Sequence, residues 1–62
     1  MNVTVIDQLT QIAVSPVWDG NLIGKSLRDK LVKAGYVDRV EGWNFLTKEG
    51  VKTCIALGIL TA

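Results

Sequence analysis

The chain has 62 residues, 48% of them hydrophobic and 21% charged, with seven Lys or Arg against six Asp or Glu and a formal net charge of +1. That is the composition of one small soluble domain, residues 1–62, and the reverse of a disordered one; a chain this short buries only about 60% of the surface its unfolded form exposes, so a covering partner is an early expectation. With no His and the single Cys54, an internal disulfide, a cysteine-based zinc site and a general base that titrates near neutrality without large perturbation are all excluded, so no enzyme, metal or cofactor is expected.

Residues 2–14 carry Val5, Leu9, Ile12 and Ala13 at spacings of three and four, with polar Gln8 and Gln11 between them, which predicts an amphipathic helix. Asn2 or Thr4 is placed to cap it, and Thr4 with Asp7 makes a capping-box pattern with Asp in place of Glu. Ser15-Pro16 ends it, because the residue before a proline is pushed out of the helical region. The β-branched run over residues 3–6 favours a strand locally and keeps that alternative open.

Pro16 to Asn21 reads as a loop with a short extended stretch near Trp18, and Asp19-Gly20 as a turn signal. Residues 22–25 have room for one helical turn capped by Asp19 or Asn21, with Gly24 opposing anything longer. A second helix is expected over 26–34, opened by Ser26 with Asp29, buried through Leu27, Leu31 and Ala34, and closed by Gly35.

Residues 36–40 and 43–46 are rich in aromatic and β-branched side chains and flank Glu41-Gly42, which predicts a hairpin with a two-residue turn. That turn pairs Val40 with Trp43, Arg39 with Asn44, Asp38 with Phe45 and Val37 with Leu46. One face then carries Tyr36, Val40, Trp43 and Phe45 with Asp38, and the other Val37, Leu46, Arg39 and Asn44. Thr47 caps a last helix over 48–57, with Glu49 in its first turn, Val51, Cys54, Ile55 and Leu57 on its apolar side, and Gly50 permitting a close approach. Gly58 ends it, and the apolar tail Ile59-Leu60 is expected to pack on the core or on a second subunit.

The stretch Leu31-x-x-x-Gly35-Tyr36-Val37-x-Arg39 followed by Leu46-Thr47-x-x-Gly50 resembles winged-helix domains over about residues 26–57. In that family the first motif runs from the recognition helix into the wing and the second opens the helix after the wing. The family's helix before the recognition helix has only residues 22–25 here, so it is missing or reduced to a turn. Reduced winged helices of similar scale occur among phage and prophage proteins, including excisionase-like factors. The resemblance implies an α+β fold of three helices and a hairpin wing, and a role in DNA-binding regulation.

On that reading Lys25, Ser26, Arg28 and Lys33 on the second helix, joined by Lys30, meet double-stranded DNA, while Arg39 and Asn44 on the wing reach the adjacent groove. The same cations also fit a plain solvated helix face, and a charge of +1 is weak for nucleic-acid binding by a monomer. A homodimer placing two such helices about one DNA turn apart would offset that weakness. The second functional reading is a protein-interaction module, an adaptor or inhibitor, using Tyr36, Val40, Trp43 and Phe45 as its interface. The commoner use of such aromatics is as core, with Trp18 and the first helix covering that face, and of Cys54 as a small buried residue. No segment reads as a signal peptide or a membrane span, so a cytoplasmic protein is expected.

Overall fold

A computed structural model describes residues 3–61. The apolar stripe of α1 (Val3–Val14) behaves as its spacing requires: Leu9 and Ile12 are buried, and Val5 and Ala13 pack partly against them. Thr4 lies inside this helix rather than capping it, and the proposed cap Asn2 lies outside the described residues. Gln8, a polar interloper in the stripe, is fully buried.

After Pro16 the chain forms a two-residue strand, β1 (Val17–Trp18), and then a 3-10 turn over Asp19–Asn21. The helical turn expected at residues 22–25 therefore falls earlier in the chain, and Leu22 to Gly24 run as irregular backbone. Two glutamines of α1 hold that segment. Gln11 donates from Nε2 to the Asn21 carbonyl at 2.6 Å and accepts from the Ile23 N–H at 3.1 Å, while Gln8 Oε1 accepts from the Gly24 N–H at 2.9 Å. Backbone groups that a helix would pair internally are paired here by side chains, which is what buried amide groups demand.

The second helix, α2 (Lys25–Lys33), starts one residue earlier than expected, with Gly24 as N-cap and no side-chain cap bond, so Ser26 is an exposed first-turn residue rather than a cap. Its inward side is Leu27, Arg28 and Leu31, whereas Ala34 is exposed. It ends in a Schellman pattern, with the Tyr36 N–H donating to the Leu31 carbonyl at 2.9 Å and the Gly35 N–H to Val32 at 3.1 Å.

Strands β2 (Val37–Val40) and β3 (Trp43–Leu46) pair antiparallel in the register expected from a two-residue turn, from Val40 opposite Trp43 to Val37 opposite Leu46. β1 adds to the other edge of β3, with Val17 opposite Asn44 and Trp18 opposite Trp43, so the sheet order is β1-β3-β2. The last helix, α3 (Lys48–Ala56), is capped by Thr47, whose Oγ1 accepts from the Gly50 N–H at 3.0 Å. Gly50 is buried so closely against the hairpin that a Cβ there would lie 2.0 Å from the Tyr36 carbonyl oxygen. Ile59 and Leu60 fold back onto the core of Leu9, Ile12, Val17, Leu31, Val37 and Cys54. Val51, Ile55 and Leu57, expected on the buried side of α3, are instead partly exposed, because the helix turns Gly50 and Cys54 inward.

Over the described residues the result is an α+β domain of three helices and a three-stranded antiparallel sheet, winged-helix-like in its order of elements.

Candidate functional site

The two faces of the sheet are the reverse of what apolar content suggests. The covered face carries the row Val17, Asn44, Arg39 across the three strands, with Val37 and Leu46 beside it. Asn44 is fully buried and Val37 nearly so. The outer face carries the row Trp18, Trp43, Val40 and next to it Phe45 opposite Asp38. The expectation that the aromatics form the core under α1 is therefore overturned.

The physical reason is a polar knot built around the Asp19 carboxylate. Asp19 Oδ1 accepts from Arg28 Nη1 at 2.9 Å, from Asn44 Nδ2 at 2.9 Å and from Arg39 Nε at 3.1 Å. Its Oδ2 accepts from Arg39 Nε at 2.9 Å and from Arg39 Nη2 as well. Asn44 completes its own set by donating to the Val17 carbonyl at 2.9 Å and accepting from Arg28 Nη1 at 3.2 Å, and Arg28 Nε donates to Asp29 at 2.8 Å. Among the described residues no buried side-chain nitrogen or oxygen lacks a partner. A face with Asn44 at its centre and Arg39 at its edge is tolerated on the covered side because its buried polar atoms are paired. Arg39, the Asn44 amide and the charge of both arginines hold the Asp19 carboxyl well below the usual carboxylate range, and Asp19 in turn raises Arg39.

This knot withdraws three residues from the expected DNA contact set. Arg28, expected to point outward, is 9% exposed, and Asn44 is at 0%, so neither is presented to a ligand. Arg39 is half exposed, but its guanidinium is engaged by Asp19. Lys25, Ser26, Lys30 and Lys33 remain on the exposed side of α2, and those three lysines form no ion pair among the described residues.

Of the expected protein-interface residues, Val40, Trp43 and Phe45 are 51%, 45% and 39% exposed, and Trp18, which was expected as cover, joins them at 46%. Tyr36 is half-buried against the core and belongs to the fold rather than to this surface. The rings of Trp18 and Trp43 meet edge to face, with centroids 5.3 Å apart and planes at 64°. Trp18 lies over Gly42 in the turn, where a Cβ would sit 2.6 Å from its Cζ3. An open groove of about 390 Å³ runs from the tryptophan pair to the end of α1, with Val14 and Pro16 in its lining.

Cys54 is buried, and burial pushes its thiol up. Among the described residues no group of acidic or cysteine side chains is arranged to hold a metal ion, and no helix is long and apolar enough to cross a membrane. No protein-family model, curated protein or solved structure matches the chain.

Proposed function

We propose that this chain is a small protein-interaction domain that docks a partner on the outer face of its sheet. The observation that carries the reading is the grouping of Trp18, Val40, Trp43 and Phe45 on one face with 39–51% of each side exposed. A surface that leaves three of the four aromatics of the chain half in water forgoes burial that each could contribute at about 25 cal/mol per Å². Aromatic side chains are favoured anchors in interfaces, and clustered apolar exposure rimmed by polar residues is the usual mark of one. The Asp19 knot beneath cross-links the turn, α2 and the sheet, which favours a preorganised face.

The test is a photo-crosslinking amino acid placed at Phe45 and, separately, at Lys33, in cells that make the protein. Discrete protein adducts from position 45, lost when Trp43 is replaced by Asp, support the reading. Adducts from position 33 alone, or with DNA, overturn it.

A second reading rests on α2, the counterpart of the recognition helix, where Lys25, Lys30 and Lys33 are exposed and outside ion pairs. With Arg28 buried, this helix offers phosphate contacts and no forked base-reading side chain, and Asn44 on the hairpin is buried too. DNA binding of this kind is weak, indifferent to sequence and steeply salt-dependent. Anisotropy of a mixed-sequence duplex at low salt tests it: binding that vanishes in a Lys25→Ala, Lys30→Ala, Lys33→Ala triple variant supports a regulatory DNA role, and absence of binding removes it.

A further inference from the structure

We infer that the partner segment docked by the outer sheet face is a protein segment that carries Arg or Lys among apolar residues, its cation drawn to the exposed indoles of Trp18 and Trp43 on a face whose charged residues, Asp38 on β2 and Glu41 in the turn, are both acidic. This inference rests on the docking reading above and names the chemistry of the occupant.

The charge on the face is of one sign. Asp38 stands opposite Phe45 on the outer side of the sheet, and Glu41 occupies the turn next to Gly42, on which Trp18 lies. Neither carboxylate forms an ion pair among the described residues. The cation nearest in sequence, Arg39, is on the opposite face and bound to Asp19. The face therefore combines exposed indole rings with carboxylates that have no counter-charge. A guanidinium or ammonium group is the one side-chain chemistry attracted by both, through the negative face of an indole and through the carboxylates. The edge-to-face contact leaves the two rings inclined at 64°, a corner rather than a flat stack, which suits a compact cationic head. The apolar flank of such a segment has Val40 and Phe45 on one side and the groove toward Val14 and Pro16 on the other.

The same charge argues against two other occupants. A second copy stacked through a two-fold axis would bring two Asp38 and two Glu41 carboxylates into one interface with no cation from either face. Single-stranded nucleic acid stacks on exposed aromatics, but it needs a positive groove for its backbone, and here the groove beside the tryptophans is lined by uncharged residues while Asp38 on the face is acidic.

The test is a titration of the ¹⁵N-labelled protein at low salt, read at the indole N–H signals of Trp18 and Trp43. The probes are three eight-residue capped peptides of identical leucine spacing with two Arg, two Gln or two Glu, and an oligo-dT of eight nucleotides. The Arg peptide is expected to shift both indole signals saturably and roughly five-fold more tightly than the Gln peptide, with no shift from the Glu peptide. That advantage is expected to disappear in the Asp38→Asn, Glu41→Gln variant, whose remaining spectrum reports an intact fold. Equal binding of the Arg and Gln peptides overturns the cation inference and leaves the docking reading standing. Failure of every probe to move the indoles overturns both. Preferential shifts from oligo-dT, or concentration-dependent shifts of the free protein abolished by Trp43→Ser, overturn the inference by placing nucleic acid or a second copy on the face.

Discussion

Asn44 Nδ2 donates to Asp19 Oδ1 at 2.9 Å across 25 residues of sequence, and this bond ties the middle of the sheet to the 3-10 turn that follows β1. It decides which face of the sheet is inside.

Replacing Asn44 by Asp keeps the shape and reverses the chemistry. The two donors to the Val17 carbonyl and to Asp19 become acceptors, and a second carboxylate is set against the first. The loss is expected at about 2–4 kcal/mol, from unsatisfied buried groups and like-charge contact. That is a large part of the roughly 3–9 kcal/mol available to a domain of this size. Urea denaturation of Asn44→Asp against the parent checks it, and Asn44→Ala should fall between them.

This is also the point at which the sequence misleads. The hairpin, its register and the Thr47 cap are legible because each depends on residues close in the chain or on a fixed period of two; Gly50 and the tail at Ile59 are legible because a glycine inside a helix and an apolar end mark a close contact without naming its partner. The choice of inner face is not, because it depends on Asp19 and Arg28 meeting Arg39 and Asn44 from separate elements. Counting apolar side chains per face puts Trp43 and Phe45 inside. The compensation that lets Asn44 in is spread over 25 residues. Gln8 is missed for the same reason, since its partner at Gly24 is 16 residues away. One signal was present: three residues suited to a fork of hydrogen bonds, Arg28, Arg39 and Asn44, in a chain with an acid in the Asp19-Gly20 turn.

Acid should loosen the knot in a defined direction. The folded Asp19 carboxyl titrates below its unfolded counterpart, so its contribution to stability is complete above the ordinary carboxylate range and is lost as pH falls from about 4 toward the folded value. Thermal midpoints of the parent should drop steadily below about pH 4. The Asp19→Asn variant should be less stable at pH 7 and show a flatter acid limb.

The turn carries a removable strain. Glu41 has φ of 49° and Gly42 of 85°, the positive pair of a type I′ hairpin turn that suits Asn-Gly. Glu41→Asn is expected to stabilise the domain by about 0.5–1 kcal/mol, since the left-handed region disfavours most side chains. Gly42→Ala meets the Trp18 ring as well as the strain and should cost about 2 kcal/mol or more. Both are read by thermal unfolding.

Gly50→Ala drives a methyl group into the Tyr36 carbonyl and separates α3 from the hairpin. A loss of about 3 kcal/mol is expected, because backbone rather than a flexible side chain must move. Hydrogen exchange should show the Thr47 N–H, which donates to that carbonyl at 3.1 Å, losing protection together with α3.

The most direct test of the central claim, that the aromatic face is free and acidic, is tryptophan fluorescence quenching of the native protein by acrylamide, caesium and iodide, each scaled to N-acetyltryptophanamide. Trp18 and Trp43 at 46% and 45% exposure should be readily quenched by acrylamide, and caesium should quench more than iodide on that scale because Asp38, on the same face, and Glu41, in the adjoining turn, are acidic. Emission from shielded indoles with little acrylamide quenching, or iodide ahead of caesium, would contradict the account.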